Sequence, residues 1–461
     1  MVPLDRRIRV LPSMPRCGPL FAVLLALPLV PAAAQSDAAD QYVRLGLRGA
    51  FSQRQQGIDL ELAEARRREA RALSLPTLAA SSITTRSGGN VIDVSRLLNP
   101  AYGALNQLLR TPAFPTDLNL RLPLQSQNFL RVTQPVFAPA AWNAATAAAR
   151  AEDAQRIGRD AASRQLAAEI RLAWLTWYKA NSVLSVYDAA VTLIEEQVRI
   201  SERLVQAGVR APDAVLRARA ELSAVRQERL SAMQQGTAAG RRLNHLVAQP
   251  LDTPIAGSTA ADLGPAPIPP LDSVLRAARE GREELKQLDA VGLAADAQRK
   301  AASASLLPSI ALAFEYGFQG SDAKLNGDRD YRVLSVVSQW NIWGGGDRAR
   351  VSEASIQRRS IAARRDETAS LIELQVRTAH DAATVARTAV DAADDQLRSA
   401  ERAFQLVRRR YEEGQAVLIE VLDARRAFTT ASINRVVTIA DLHARRVDLV
   451  RAAALEPGIQ P

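Results

Sequence analysis

Two acidic side chains, Glu420 and Asp423, lie three positions apart in a stretch with helical patterning. Residues three apart share one face of a helix, so the two carboxylates would form a single acidic patch. Whether this patch has a function depends on the rest of the chain. Gly414 precedes the patch and costs about 1 kcal/mol relative to alanine inside a helix, so it predicts a turn between two helices. A solvated helix face is the alternative explanation for the acids.

The sequence indicates no catalytic centre. His245, His380 and His443 are the only histidines, and each stands alone on a helical stretch. The sequence contains no phosphate-binding glycine loop, no metal-spaced His/Cys cluster and no nucleophile elbow. We therefore expect no enzyme activity, no cofactor and no metal site.

The net charge of +10 raises the question of nucleic-acid binding, but its distribution argues against it. The arginines are spread along helical stretches among the acids, and no basic block is interleaved with aromatic residues, as nucleic-acid binding would require. Aromatic residues make up only 5% of the chain. This composition favours long helices packed through small side chains over a thick globular core.

Residues 1–34 are predicted to be a secretory signal peptide. Four arginines precede a proline-broken apolar run at 18–35, and the small residues before Gln35 predict cleavage after Ala34. Met14 is an alternative start. Cys17, the only cysteine, lies before the apolar run, so we expect it to leave with the leader and predict no lipid anchor.

The chain is divided by a proline-rich linker at 250–270 into two repeats, 35–249 and 271–461. Each repeat has a helix that is predicted to end at the proline of a Leu–Pro pair, Pro76 or Pro308, before an extended segment. VTQPVFAPAAW in the first repeat matches VSQWNIWGGGD in the second. A glycine turn follows a long helical stretch in both repeats, and the two glycines are Gly208 and Gly414.

Residues 310–319 alternate strictly between apolar and small or polar side chains. This pattern is typical of a membrane-barrel strand with one face towards lipid and the other towards water, although a soluble half-buried β-hairpin is the alternative. We expect Glu315 to face the lumen, and the following side chains to face lipid: Leu312, Phe314, Tyr316 and Phe318. Residues 320–330 are rich in turn-forming types, which predicts a hairpin at about 310–342.

A matching hairpin with a longer loop is predicted at about 77–137, giving four strands per chain. A sheet in a bilayer must close, because an open edge leaves backbone groups unpaired in hydrocarbon, and the smallest bacterial barrels have eight strands. If these strands cross a membrane, several chains must therefore share one barrel.

Long helical hairpins are predicted at 139–248 and 346–455. The first helix of each has almost 70 residues, or roughly 100 Å at the α-helical rise. The returning helices, 212–248 and 417–455, are shorter. Such unequal hairpins, each rooted in strands, are better suited to a tube than to a globular domain.

Four features of the sequence can be compared with known families: the duplicated Leu–Pro–strand junctions, the segment NIWGGGDRARV at 341–351, the paired glycine turns and the segment YEEGQAVLIEVLDA at 411–424. In this order, they resemble the TolC family of outer-membrane efflux proteins. The resemblance covers nearly the whole predicted mature chain. It implies a mainly α fold with transmembrane β: a trimer in which long antiparallel helical hairpins form an α-barrel across the periplasm. The two β-hairpins of each chain would contribute four strands to a twelve-stranded barrel in the outer membrane.

The resemblance also implies roles for the residues around the turns. Glu420 and Asp423 match acids of a pore constriction, and Tyr411 matches a tyrosine of the gating network, with Asp213 as a looser match. The arginine of that network would fall at Ala416, so that link is absent here. Residues at the periplasmic tip, where an adaptor docks, would be Gly208, Val209, Pro212, Gly414, Gln415 and Val417.

By this resemblance the protein is a passive outer-membrane channel of a tripartite efflux or type I secretion system. Its expected partners are two further copies of the chain, a periplasmic adaptor, an inner-membrane pump of RND, ABC or MFS type, and outer-membrane lipid. A periplasmic adaptor is the first alternative, but adaptors carry one helical hairpin and this chain has two. A coiled-coil structural protein of the envelope is the second, and the alternating strand argues against it. The exported substrate stays open.

Overall fold

The computed structural model describes residues 38–85, 92–118, 121–122, 126–255, 263, 267–320 and 330–455. The predicted signal peptide, most of the predicted turn between the last two strands and part of the linker lie outside these residues. Within the described residues the chain is mainly helical, with short antiparallel strands, as expected. No helix among them is both long and apolar enough to cross a membrane.

Two very long helices and their returns dominate the fold. Helices α4 and α8 each have 68 residues, so each is roughly 100 Å long. All four helices begin and end within two residues of the positions that the sequence indicated. Their bounds are α4 Pro139–Gln206, α5 Asp213–Leu246, α8 Gly345–Glu412 and α9 Leu418–Ala453.

Shorter helices pack beside α4 and α8 in each repeat: α1 Ala38–Gly49, α2 Phe51–Ala72, α6 Leu271–Gly281 and α7 Glu283–Ala304. Helices α2 and α7 end four residues before Pro76 and Pro308, and not at the prolines as the sequence suggested. A proline disfavours the helical conformation of the residue before it, and the chain needs a short turn between each helix and its strand.

Each repeat has its own buried core beside these short helices. In the first repeat, Val43 of α1, Ile170 and Trp174 of α4 and Leu243 of α5 are at most 1% exposed. In the second repeat the corresponding side chains come from α6, α7, α8 and α9. A third cluster, at the opposite end of the long helices, draws side chains from α4, α5, α8 and α9 together.

The strands of both repeats form one antiparallel sheet in the order β1-β4-β5-β6. Their bounds are β1 Thr77–Thr84, β4 Ser126–Phe137, β5 Ser309–Gly320 and β6 Asp330–Gln339. The predicted hairpins are thus joined by pairing between β4 and β5. Strands β1 and β6 are the edges of this sheet within the described residues.

The long connection from β1 to β4 contains elements that the sequence did not indicate. Helix α3, Ser95–Leu109, lies between strands β2, Ile92–Asp93, and β3, Arg121–Leu122, which pair with each other. Strands of two residues are too short to show an alternating pattern, and Pro100 lies inside α3 and obscures its helical signal.

Candidate functional site

The two glycine turns end the long helices with the same geometry. Gly208 and Gly414 adopt positive φ angles of 71° and 80°, a conformation that favours glycine. In the first turn the amide of Val209 donates to the carbonyl of Leu204 at 2.9 Å; the equivalent bond in the second turn is 2.7 Å long. Together with the bonds from the glycine amides, these contacts form Schellman motifs, which satisfy carbonyls at the helix ends.

The turns lie together because the helices on both sides share one core. Ile194 of α4, Ala218 of α5, Tyr411 of α8 and Val421 of α9 are at most 1% exposed and belong to one buried cluster. We call this end of the molecule, from the cluster to the two turns, the tip. Both helical hairpins therefore meet there as one packed unit.

Tyr411, to which the family resemblance assigns a place in a gating network, lies inside this core. Its hydroxyl lies 3.3 Å from the hydroxyl of Ser201, which is also fully buried. The guanidinium of Arg210 lies over its ring, 5.5 Å from the centroid. The tyrosine on α8 thus contacts α4 and the turn that follows α4.

Arg210 is a contact residue that the sequence did not indicate. Its Nη2 donates to the carbonyl oxygen of Ala416 at 2.7 Å and lies 3.4 Å from that of Gly414. The aligned glycines could have revealed it, because Arg210 occupies in the first turn the position that Ala416 occupies in the second. An arginine does reach Ala416, but it comes from the other turn.

Glu420 and Asp423 both lie exposed on the first turns of α9, on one helix face. Asp423 lies 3.9 Å from the guanidinium of Arg426, which offsets part of the acidic charge. Asp213 is also exposed and pairs with Arg217 on its own helix at 3.3 Å.

The six residues predicted to form the docking surface lie on or beside the two turns, and all are exposed: Gly208, Val209, Pro212, Gly414, Gln415 and Val417. Val209 is 56% exposed and Val417 is 47% exposed, a high fraction for β-branched apolar side chains. Scattered exposed apolar residues are common, but here both flank glycine turns that place them at the end of the molecule.

A buried ion pair joins α5 to α9 about two helical turns after each helix begins. Glu221 accepts hydrogen bonds from Arg425 and Arg426, and Arg425 is only 2% exposed. The hydrogen bond from Arg426 is the main reason why the pKa of Glu221 lies below its usual value, with burial opposing it. Burial lowers the pKa of Arg425.

At the other end of the molecule, the sheet has one exposed apolar face. The register aligns Leu78, Val132, Phe314 and Leu334 in one row across all four strands. Each of these side chains is at least 37% exposed. Of the side chains predicted to face lipid, Leu312 and Phe314 are exposed, whereas Tyr316 and Phe318 are half-buried and pack edge-to-face against each other.

The opposite face of the sheet carries a polar cluster. Glu315 pairs with Arg131 on β4 at 2.6 Å and accepts a hydrogen bond from Tyr331 on β6. Because neighbouring residues of a strand point to opposite faces, Glu315 and Phe314 lie on different sides of the sheet. The two sides therefore present different chemistry, one apolar and one containing paired charges.

Comparison with known proteins agrees with this architecture. Residues 274–454 match the family model described as outer membrane efflux protein. No curated protein sequence matches the chain at a significant level. The solved structures with a similar fold include three channels of the outer membrane.

The outer-membrane channel OprN has a TM-score of 0.73 and 19% identity, over 92% of this chain and 91% of that chain. The CmeC outer membrane channel of Campylobacter jejuni has a TM-score of 0.73 and 16% identity, over 92% and 87%. The open state of the MtrE outer membrane channel of Neisseria gonorrhoeae has a TM-score of 0.71 and 19% identity, over 92% and 91%. Residues 274–454 therefore resemble the outer membrane efflux protein family, and the described chain as a whole has the fold of these outer-membrane channels.

Proposed function

We propose that this protein is the outer-membrane channel of a tripartite efflux or type I secretion system and acts as a homotrimer. The observation that carries the proposal is the four-stranded sheet, with an exposed apolar face and two edge strands, that continues into helices of 68 residues. A sheet edge cannot be left unpaired in hydrocarbon, so β1 and β6 must pair with other copies. Three copies supply twelve strands and can close a barrel.

This arrangement divides the molecule into a membrane part and a periplasmic part. The apolar face of the sheet contacts outer-membrane lipid, and the long helices extend into the periplasm. Channels of this family are homotrimers that work with periplasmic adaptors and inner-membrane pumps. The exposed residues of the tip turns are the surface that we assign to the adaptor.

The family is one of channels rather than enzymes. We propose that the chain is a passive duct and that the pump supplies the energy for export. Selectivity then comes from the narrowest part of the duct, to which we assign Glu420 and Asp423. Three copies of their exposed face would bring six carboxylates close together, with Arg426 beside each pair.

Single-channel conductance in planar bilayers tests both the duct and its acidic ring. The parent protein should conduct, and a trivalent cation on the periplasmic side should block it by binding across the carboxylates. Glu420→Ala combined with Asp423→Ala should lose this block and much of its cation preference. A parent protein that inserts but carries no current would contradict the proposed function.

The matched control is Glu61→Ala combined with Glu64→Ala, on α2 near the sheet. This pair has the same spacing and the same change of charge, so it should be blocked like the parent. If the Glu420/Asp423 variant is also blocked like the parent, those acids are solvated helix surface and do not form the constriction.

A further inference from the structure

The two turns of the tip are connected by one side chain. Arg210 belongs to the turn between α4 and α5, and its Nη2 reaches carbonyl oxygens of Ala416 at 2.7 Å and Gly414 at 3.4 Å. The same guanidinium lies over the ring of Tyr411, the fully buried side chain in the last turn of α8. Arg210 therefore contacts the backbone and a core side chain of the other repeat at once.

The acceptors explain why an arginine fits this place. Helix α8 ends at Glu412, and carbonyl groups at and beyond a helix end lack partners within the helix. The end of the helix also carries partial negative charge, which favours a nearby cation. A planar guanidinium can donate to carbonyl oxygens while its face lies on an aromatic ring, and an ammonium group cannot do both in the same way.

Alignment of the two repeats shows that the two turns contribute different groups to this contact. When Gly208 is aligned with Gly414, Arg210 is opposite Ala416 and Val205 is opposite Tyr411. The cation is thus on the first turn, and the ring together with the accepting carbonyls is on the second. The two turns are complementary and are not interchangeable copies.

We propose that Arg210 is a positioning residue that ties the first tip turn to the second, so that the two turns move as one unit. The consequence of this tie rests on the proposed function. When the duct opens, either the hydrogen bonds of Arg210 break or both turns move together. Without Arg210, each turn would follow its own hairpin, and the closed arrangement of the tip would lose a constraint.

Hydrogen exchange of the full-length protein in detergent tests the tie without depending on channel activity. In Arg210→Ala, the amides of both turns should exchange about tenfold faster, the effect of losing one hydrogen bond to a charged group. The decisive peptide is the one around Gly414, because it contains no substituted residue. Faster exchange only in the peptide around Gly208 would overturn the proposal.

Two further variants make the result specific. Arg217→Ala removes the same charge from an exposed arginine that is paired only with Asp213 on its own helix among the described residues, so exchange around Gly414 should match the parent. Arg210→Lys keeps the charge and the stem but lacks the planar head, so it should show an intermediate effect. It serves as the test variant if Arg210→Ala does not assemble; parent-like exchange would then overturn the proposal.

Conductance adds the functional readout. Arg210→Ala should open spontaneously more often than the parent, and Arg217→Ala should not. If both variants gate like the parent although exchange around Gly414 is faster in Arg210→Ala, the tie exists but does not hold the duct closed, which overturns the stated consequence. A parent that does not conduct would contradict the proposed function and leave the exchange result to decide the tie.

Discussion

Glu221 is the side chain that connects the returning helices of the two repeats. It is 8% exposed and lies between Arg425, which is buried, and Arg426, which is exposed. A carboxylate with a lowered pKa stabilises the folded state at pH values above its unfolded pKa, near 4.5. That contribution decreases as the pH falls from this value through the lowered pKa of the folded protein.

We predict that Glu221→Gln destabilises the protein by about 2 kcal/mol at neutral pH, because Arg425 loses its charged partner in a buried position. The apparent Tm of the parent, measured by circular dichroism, should fall below pH 4.5, and that of the variant should fall less over the same window. The control is Glu202→Gln, in an exposed pair with Arg219, which should cost at most about 1 kcal/mol. Equal effects of the two substitutions would contradict the assignment.

For individual residues, the sequence could indicate which side chains share one face of a helix, but not which contacts form between helices. The spacing of Glu420 and Asp423 was sufficient to place them on one face, and Arg426 can be read at the same spacing from Asp423. The reach of Arg210 to Ala416 depends on two turns that are more than 200 residues apart. The aligned glycines place Arg210 and Ala416 at equivalent positions of the two turns, but no local pattern encodes the contact between them.

Among the elements, the turn after α8 depends on a backbone conformation that only glycine adopts easily. A Cβ on Gly414 would have no heavy atom of the described residues within 4 Å, so the cost of Gly414→Ala comes from the backbone alone. We predict a loss of about 1–2 kcal/mol, measured by thermal unfolding. Gly103→Ala, equally unobstructed but inside α3, should instead be neutral or stabilise by up to about 1 kcal/mol. A stabilising Gly414→Ala would refute the turn's requirement for glycine.

The register of β5 makes a prediction about lipid contact. Phe314→Arg should cost roughly 2–4 kcal/mol if the residue lies near the bilayer midplane, and should reduce the yield of assembled protein in the outer membrane. Ala313→Arg introduces the same side chain one residue away on the opposite face and should be tolerated better. If Phe314→Arg inserted normally while Glu315→Leu did not, the assignment of the two faces would be reversed.

The sequence was a good guide to the elements that are long or strictly periodic. The long helices follow from sustained helical spacing, and β5 follows from ten alternating residues. The pairing of β4 with β5 joins residues almost 200 positions apart, so it could not be predicted from either hairpin. Strands β2 and β3 have too few residues to carry a pattern.

At the scale of the whole molecule, the sheet and the long helices suit the proposed assembly of several chains. Its sheet has four strands and exposes the apolar row of Leu78, Val132, Phe314 and Leu334. The helices beneath the sheet pack into cores within each repeat and then into a shared core at the tip. The chain is thus a rod with the four-stranded sheet at one end and the paired turns at the other, and in the proposed assembly further copies close the sheet.

The number of chains per particle is therefore the direct test of the proposed trimeric barrel. The protein should be extracted from the outer membrane in mild detergent and its oligomeric mass determined by light scattering or native mass spectrometry. We predict three chains per particle, because three sets of four strands close a twelve-stranded barrel. A stable monomer in these extracts would contradict the proposed barrel.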